Sequence, residues 1–289
     1  PEAGRLPARR CTRHLHQVQY SELPPPPALS AVIRCFWFLR GDFPPCETQT
    51  VVADGRLEII LHLANPFSRL DPPVLASRQD AVLVSGQLTG PIHLQSNGYA
   101  DVVGIRFRTT GAKALLRVPL GELTDRVDSL APISRRMAAA LHAAAAGTAD
   151  LPSRARALSA VLSRHADGWI DPLARAAISQ LDAPHGPTVA RTARSLGTTS
   201  RTLERRVLNA TGLSPAALRR VLRFRRAFRL LDASPRGSWA GVAGSAGYHD
   251  QAHLIRDFRQ FAGVSPTEFF HVEPELARAI MTGGDGGGA

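Results

Sequence analysis

The stretch of sequence that decides the fold runs from Thr188 to Phe270 and reads TVARTARSLGTTSRTLERRVLNATGLSPAALRRVLRFRRAFRLLDASPRGSWAGVAGSAGYHDQAHLIRDFRQFAGVSPTEFF. It contains one short pattern twice, at an offset of 50 residues that becomes 51 in the second half of the pattern. Each copy has an alanine, a glycine four residues later and a closing Gly-x-Ser-Pro turn; these are Ala193, Gly197 and 212–215, then Ala243, Gly247 and 263–266. Such an echo in spacing is typical of a duplicated structural unit.

Each copy predicts a helix-turn-helix unit. Two helices that cross steeply over a short turn need a small side chain where they touch, which the two alanines provide. They also need a turn residue that tolerates a positive φ, which the two glycines provide. Gly241 and Gly244 also fall within the first helix of the second copy. Because glycine in a helix is less favourable than alanine by about 1 kcal/mol, we expect that helix to be marginal.

The second helix of each unit, which we call its recognition helix, is predicted to turn a polar and largely basic face outward. Thr199-Ser200 and Asp250 stand where an N-cap belongs. Apolar residues four positions apart then tie each helix to its core. The outward side chains are Arg201, Glu204 and Arg205 in the first helix and Gln251, His253 and Arg256 in the second. These residue types reach the phosphates and base edges of DNA.

The basic charge of the chain coincides with this duplicated stretch. The formal net charge is +11, and residues 184–271, with fourteen arginines and five acidic residues, carry +9 of it. A bias toward arginine explains the scarcity of lysine, since Lys113 is the only lysine, but not the position of the charge. The distribution favours nucleic-acid binding by the C-terminal part.

Cysteine usage and hydropathy point away from secretion and from the membrane. The three cysteines, Cys11, Cys35 and Cys46, form no CxxC pair and have no histidine at ligand spacing, so neither a disulfide framework nor a zinc site is expected. The first ten residues carry charge without an apolar run behind them, and no apolar stretch of 18 residues occurs. We therefore expect a cytoplasmic protein.

The sequence before the duplication predicts an α+β chain. Up to residue 109, short apolar runs about ten residues apart, separated by glycine, asparagine and proline, indicate a small β-barrel or β-sandwich, of a cupin-like kind. From Gly111 onward the spacing becomes helical, with Pro119, Pro132, Pro152 and Pro172 at expected first turns. We predict a β-rich regulatory domain with a helical extension over 16–182, an all-α double helix-turn-helix domain over 188–270, and disordered ends at 1–15 and 272–289.

A basic amphipathic helix is predicted between the two units, over Ala217–Ser234. Apolar side chains form a stripe along it, with Phe224 beside the stripe, and six arginines occupy the rest. A helix of about 17 residues is about 25 Å long. It could hold two recognition helices in successive major grooves, which are about 34 Å apart on one face of the duplex.

Residues 188–270 resemble the DNA-binding domain of AraC/XylS-type transcriptional regulators. The resemblance is carried, in order, by SRTLERR, GLSP, LRFRRAFRLL, GYHDQAHLIRDFRQFAG and GVSP. It implies a seven-helix reader of double-stranded promoter DNA in a bacterial, nucleoid-associated regulator. Residues 20–180 look more loosely like the β-rich sensor portion of such regulators. A small-molecule effector, RNA polymerase and a second copy of the chain are partners compatible with this reading.

The resemblance also assigns contacts to individual residues. Its base-reading positions correspond to Arg201, Glu204, Arg205, Gln251, Ala252, His253 and Arg256. Arginine suits guanine and glutamine suits adenine, each good bidentate pair contributing roughly 1–3 kcal/mol of discrimination. Glu204 could accept from a cytosine amine, or it could orient Arg205. Phosphate contacts are expected from Thr199, Ser200, Arg206, Arg223, Arg226 and Arg259.

Two other classes of function compete with a transcription activator or other regulator. A cupin-type enzyme fused to the reader could hold a metal at His62 and His93, but these histidines are far apart in sequence and have no carboxylate at ligand spacing. A DNA-alkylation response protein would need a reactive cysteine, and neither Cys35 nor Cys46 lies in a basic or cysteine-rich cluster. We therefore expect no catalytic residues, no metal and no cofactor.

Overall fold

The computed structural model describes residues 18–44, 47–70, 76–148, 150–166, 168–233, 239–272 and 281. The predicted disordered ends therefore lie outside the described residues, apart from the last helix position at 272 and Met281. In the described part, a β-rich half is followed by a helical half, which confirms the α+β class. None of the described helices is both long and apolar enough to cross a membrane.

The β-rich half contains two antiparallel sheets. The strands are β1 (Gln19–Leu23), β2 (Ile33–Asp42), β3 (Thr48–Val51), β4 (Glu58–His62), β5 (Ser68–Leu70), β6 (Ser77–Arg78), β7 (Val82–Ser85), β8 (Ile92–Gln95), β9 (Tyr99–Phe107) and β10 (Val127–Ser129). One sheet has the strand order β1-β2-β9-β4-β7-β10 and the other the order β3-β8-β5-β6.

The apolar run in β2 is explained by burial on both faces of the six-stranded sheet. Phe36 and Phe38 belong to the core that this sheet shares with the following helices. Trp37 and Leu39 alternate with them and belong to a separate cluster on the opposite face. Opposite Trp37, a Cβ added to Gly104 would lie 1.8 Å from the indole Cε2 atom. Glycine is therefore required where the indole crosses β9.

Three helices follow the strands: α1 (Ala131–Ala146, interrupted at Ser134), α2 (Leu151–Ser163) and α3 (Pro172–Leu181). Each has proline in its first turn, as the sequence predicted for Pro132, Pro152 and Pro172. Helices α1 and α2 pack on the six-stranded sheet through Leu141 and Leu158. Helices α1 and α2 are thus part of the core of the β-rich half.

One part of the predicted helical section is not α-helical. Residues 112–114 and 120–123 form short 3-10 turns, and Val127–Ser129 form strand β10. Strand β10 pairs with Val82–Ser85 of β7, so it completes one edge of the six-stranded sheet. The expectation of an α-helix there was wrong because pairing with an available strand edge decides the conformation of so short a segment.

The C-terminal half contains α4 (Val189–Ser195), α5 (Ser200–Thr211), α6 (Pro215–Ala233), α7 (Trp239–Ala246), α8 (Gln251–Ala262) and α9 (Pro266–Val272). These helices share one core, which also includes Ala174, Ala177 and Ile178 of α3. The domain limits 16–182 and 188–270 stay predictions. Since α3 packs with the C-terminal helices, we expect an isolated C-terminal fragment to need α3 as well.

The two helix-turn-helix units repeat the same local interactions. The N–H of Thr198 donates to the carbonyl of Ala193 at 2.9 Å, and the N–H of Tyr248 donates to that of Ala243 at 2.8 Å. Both alanines are buried. The turn glycines have positive φ, +65° at Gly197 and +88° at Gly247, as their positions predicted. The duplication in sequence is therefore a duplication in backbone geometry.

The first helix of the second unit, α7, is formed in spite of its glycines. Gly244 is exposed, and a Cβ built there meets nothing within 4 Å. We expect Gly244→Ala to raise the free energy of unfolding by about 0.5–1 kcal/mol, since alanine favours the helix and meets no neighbour. Urea unfolding would measure this. Gly247→Ala is the matched control, because its added Cβ would lie 1.8 Å from the Pro184 carbonyl oxygen; a gain there would contradict the account.

Candidate nucleic-acid interface

Helices α5 and α8 are the predicted recognition helices, and they present equivalent faces to solvent. The buried faces are apolar and include Leu203 with Val207 in α5 and Leu254 with Phe258 in α8. The side chains exposed on the outer faces include six of the seven predicted base readers: Arg201, Glu204, Arg205, Gln251, Ala252 and Arg256. The two helices can therefore offer guanidinium, carboxylate and amide groups to a ligand without any change in their packing.

Both recognition helices begin with a side-chain cap. Thr199 accepts from the N–H of Thr202, and Asp250 accepts from the N–H of His253 at 2.7 Å. The hydrogen bond to His253 holds the pKa of the Asp250 carboxyl below its ordinary value, with a contribution from the adjacent His249. Thr199 is exposed and Ser200 is half-buried at the first turn. These hydroxyls stand at a helix N-terminus, where backbone N–H groups favour a phosphate.

Arg206, whose side chain is 37% exposed, is paired with the carboxylate that caps another helix. Its Nη2 donates to Asp171 Oδ1 at 2.8 Å, and its Nε donates to Oδ2 of the same carboxylate. Asp171 also caps α3 by accepting from the N–H groups of Leu173 and Ala174. Burial acts to raise the pKa of Asp171, but these hydrogen bonds outweigh it, so the pKa is lowered. The predicted phosphate contact of Arg206 would compete with this pair.

A buried carboxylate on α8 holds two arginines of α6. Asp257 is 2% exposed and accepts from Arg220 Nη2 at 2.7 Å and from Arg223 Nη2 at 2.9 Å. The Arg223 guanidinium also lies 4.4 Å from the centre of the Tyr248 ring. This cluster fixes the second recognition helix to the connecting helix. This cluster was not predicted from the sequence, although the single acidic residue in the basic segment QAHLIRDFRQ is a signal that could have indicated it.

The other predicted phosphate contacts fall into two groups. Arg226 donates to the Ala246 carbonyl at 3.0 Å and to Asp182 at 2.9 Å, so it links α6 to α7 and to the residue that follows α3. Arg223, described above, likewise has internal partners. Arg259 is exposed on α8. The contacts of these arginines with DNA stay predictions. In the structure, Arg223 and Arg226 link α6 to neighbouring parts of the protein.

His253 is the predicted base reader that is not fully exposed. It is half-buried, and its Nε2 lies 3.0 Å from Nη2 of Arg223. An arginine can only donate, so this nitrogen accepts and the ring is neutral in this arrangement. Burial, followed by the charge of Arg223, lowers the pKa of His253. Its base-reading assignment stays a prediction, and its present contacts position α8 against α6.

The β-rich half contacts the C-terminal turn of both recognition helices. Gly212 ends α5 with a φ of +87°, and its carbonyl accepts from Thr124 Oγ1 at 2.7 Å. Gly263 ends α8 with a φ of +83°, and a Cβ there would lie 3.1 Å from Cγ of Pro91. In addition, the N–H of Ala53 donates to the Phe261 carbonyl at 3.0 Å. The two recognition helices are therefore seated on the same half of the protein.

A second candidate site is a cavity of about 120 Å³ within the β-rich half. It is lined by residues of both sheets, among them Trp37, His62 and Leu94. Val52 and Leu88 also line it and belong to the core of the C-terminal helices, as does Met281. One wall of the cavity is therefore formed by residues that also pack in the core of the C-terminal helices.

His62 in this cavity should make stability depend on pH. Burial lowers its pKa to about 4, while the nearby Gln79 side chain acts in the opposite direction. Between pH 6.5 and 4 the unfolded chain binds a proton at His62 and the folded chain does not, so stability falls as the pH falls. One pKa unit corresponds to about 1.36 kcal/mol, so His62 should account for roughly 3 kcal/mol of the decrease in the free energy of unfolding. We expect His62→Gln to abolish this part of the decrease. Urea unfolding across this pH range measures the change. His93→Gln is the control: His93 is only half-buried, so this variant should keep the dependence of the free energy of unfolding on pH.

The structure also describes some of the residues that the two competing hypotheses needed. No group of three His, Cys, Asp or Glu side chains in the described part of the chain could hold a metal. Burial raises the pKa of Cys35 to about 12, which keeps it a thiol rather than a reactive thiolate. Cys11 and Cys46 lie outside the described residues.

Comparison with known proteins identifies two domains. Residues 192–271 match a helix-turn-helix domain, which is of the AraC type, and residues 21–128 match a domain of unknown function, DUF6597. No curated protein sequence matches the chain.

Three solved structures are similar in part. ToxT from Vibrio cholerae is 12% identical, with 82% of this chain and 98% of that chain covered and a TM-score of 0.49. The DNA-binding domain of AdpA, a global transcriptional factor crystallised with a target DNA, is 31% identical, with 34% and 89% covered and a TM-score of 0.32. A regulator from Chromobacterium violaceum with an AraC-type DNA-binding domain is 23% identical, with 39% and 94% covered and a TM-score of 0.30.

Proposed function

We propose that this chain, a DNA-binding transcription regulator with an AraC-type helix-turn-helix domain, reads two successive half-sites of promoter DNA and does so in response to a molecule bound in its β-rich half. The observation that carries the proposal is the repeated geometry of α5 and α8. Both helices begin with a capped turn, bury an apolar face and expose polar side chains from equivalent positions. Major-groove reading requires this combination of a fixed helix and free polar groups.

We assign base reading to the exposed side chains of the two helices. Arg201 and Arg205 on α5, with Arg256 on α8, have the bidentate donors that suit guanine, and Gln251 suits adenine. Glu204 can accept from a cytosine amine, and the Ala252 methyl group can contact a thymine methyl group. We also assign base reading to His253. To contact a base, its ring must give up the hydrogen bond with Arg223.

We assign phosphate contacts first to the groups that the structure leaves accessible. Thr199 and Ser200 lie at the N-terminus of α5, and Arg259 is exposed on α8. Arg206, Arg223 and Arg226 form a second group, because each would have to share its guanidinium between an internal acceptor and a phosphate. The first group should therefore contribute more to the salt dependence of binding.

Sensing is supported by the continuity between the cavity and the C-terminal core. A ligand in the cavity would contact Val52 and Leu88. These two residues belong to the core of the C-terminal helices, which includes both recognition helices. The β-rich half also contacts the last turns of α5 and α8, through Thr124 and Pro91 respectively. A shift of these contacts would change how the two helices are held, and so would change their fit to two half-sites.

The remaining parts of the proposal concern partners and setting. We propose that the chain acts in the cytoplasm on the nucleoid, that it activates transcription by contact with RNA polymerase, and that it can pair with a second copy on DNA. We propose no catalytic role, since the exposed polar residues at the recognition helices have the chemistry of groove binding rather than of bond cleavage.

Selection of bound sites from random double-stranded DNA tests the proposal. The full chain should enrich a site of two half-sites whose centres are about 10–10.5 base pairs apart, and a footprint should protect one face of the duplex. A chain carrying Arg201→Ala, Arg205→Ala, Gln251→Ala and Arg256→Ala together should fold normally and enrich no sequence. Failure of the unaltered chain to enrich any sequence would overturn the proposal.

A further inference from the structure

The cavity in the β-rich half has the size and lining for a small ring. Its walls include Trp37, Phe43, Phe67 and Leu94, and its volume is about 120 Å³. A cavity of about 150 Å³ lined by apolar side chains is enough to admit benzene. At about 120 Å³ this cavity is of the same order, so it suits a ligand built on a single six-membered ring, and it is too small for a long chain or a fused ring system.

Two polar groups in the lining are not fully paired. Nε1 of Trp37, which is 7% exposed, has no hydrogen bond among the described residues. His62, which is 4% exposed, has the Gln79 side chain beside it but makes no hydrogen bond of good geometry at either ring nitrogen. The indole is fixed by its contact across Gly104, so it cannot turn away to find water. A buried donor or acceptor without a partner is unfavourable, and a ligand that supplies the partner gains by that difference. A neutral imidazole offers one donor and one acceptor.

The charged residues of the lining neutralise one another. Nε of Arg106 donates to Oε1 of Glu58 at 2.5 Å, and its Nη1 lies 3.1 Å from Oε1 of Glu22. Nη1 of Arg56 lies 3.5 Å from Oδ2 of Asp54. An anionic ligand would have to displace one of these carboxylates, and a cationic ligand would have to displace one of the guanidinium groups. An uncharged ligand disturbs neither pair.

We propose that this cavity binds an uncharged single-ring molecule that carries a hydroxyl group, with the hydroxyl beside His62 and Trp37 and the ring among the apolar walls. The inference rests on the proposed sensing function and names the ligand class of that site. A hydroxyl group is suitable because one oxygen can donate to an imidazole nitrogen and accept from an N–H group.

Binding of three probes that share a ring and differ in one substituent tests the inference. Toluene, p-cresol and p-toluate are titrated into the full chain by calorimetry, with thermal unfolding as a second readout. We expect p-cresol to bind at least about fivefold more tightly than toluene, because its hydroxyl satisfies buried polar groups. We expect no saturable binding of p-toluate. Tighter binding of p-toluate than of p-cresol, or binding of neither p-cresol nor toluene, would overturn the inference.

A variant separates the role of the histidine from that of the cavity volume. His62→Phe should retain toluene binding and bring the ratio of p-cresol to toluene affinity close to one. His93→Phe is the matched control, because His93 is half-buried on β8 but does not line the cavity, and it should keep the ratio of the unaltered chain. An unchanged ratio in His62→Phe would contradict the proposed position of the hydroxyl.

DNA binding by the same samples distinguishes failure of this inference from failure of the proposed function. If the chain binds its selected DNA site and neither p-cresol nor toluene binds the protein, the ligand class is wrong and DNA reading stands. If p-cresol binds as expected and the affinity for DNA does not change, the ligand class stands and the sensing role fails.

Discussion

Arg205→Ala is expected to relax the preference of the protein at a single base pair of one half-site by roughly 5- to 150-fold, which corresponds to about 1–3 kcal/mol of discrimination. The reason is that Arg205 is exposed on the outer face of α5, where a guanidinium group can bind one base bidentately. Fluorescence anisotropy on the selected site and on its single-base variants measures the effect. The other positions of the site should keep their preference.

Arg259→Ala is the matched control for that experiment. Arg259 is also an exposed arginine of a recognition helix, but it lies near the C-terminal end of α8. We expect it to weaken binding to all the variants about equally and to reduce the slope of log affinity against log salt by about 1, as the loss of one phosphate contact does. Equal, position-independent weakening by Arg205→Ala and Arg259→Ala would contradict the assignment of Arg205 to base reading.

Asp257→Ala is expected to lower the free energy of unfolding by about 3–5 kcal/mol, the range for breaking a buried ion pair by removing one partner. Asp257 is 2% exposed, and its loss leaves the guanidinium groups of Arg220 and Arg223 without their carboxylate. Because Arg220 is 43% exposed and can be hydrated, the effect should fall at the lower end of the range.

Urea unfolding of the full chain measures this difference. Glu204→Ala is the control, since Glu204 is an exposed acidic residue of the other recognition helix and should change stability by no more than about 0.5 kcal/mol. In DNA binding, Asp257→Ala should impair the half-site read by α8 more than the one read by α5. A stability equal to that of Glu204→Ala would show that Asp257 does not hold α8 to α6.

The duplicated units could be predicted from sequence because their determinants are local. A small residue at the helix crossing, a glycine with positive φ and a capping side chain each act within a few residues. The structure accordingly has Ala193, Gly197 and Thr199 in the predicted roles. Phe224 is a partial exception, since the sequence placed it beside the apolar stripe and the structure buries it completely among aromatic rings.

The partners of the arginines could not be predicted, because they come from distant parts of the chain. Arg206 meets Asp171 across 35 residues, and Arg220 meets Asp257 across 37. A count of charges shows that a region is basic, but it does not show which guanidinium groups are already bonded. The packing of α3 with the C-terminal helices was missed for the same reason, since its apolar face is compatible with either half.

The cavity was also beyond sequence analysis, although two of its main residues had been considered. His62 was weighed as a metal ligand together with His93, and the structure places it instead in a cavity whose lining does not include His93. Trp37 lies in one of the short apolar runs that predicted strands before residue 109. Which face of that strand borders a cavity depends on how the second sheet packs, and no local pattern determines this.

The central claim is that α5 and α8 read two half-sites at once from a single chain. It is tested most directly by the affinity of the full chain for a selected site into which five base pairs have been inserted between the half-sites. Since α6 has 19 residues and spans about 28 Å, the two recognition helices have a fixed separation and cannot follow a half-site to the opposite face of the duplex. The account predicts that the affinity falls to that of a site with one half scrambled. An affinity equal to that of the uninterrupted site would contradict it.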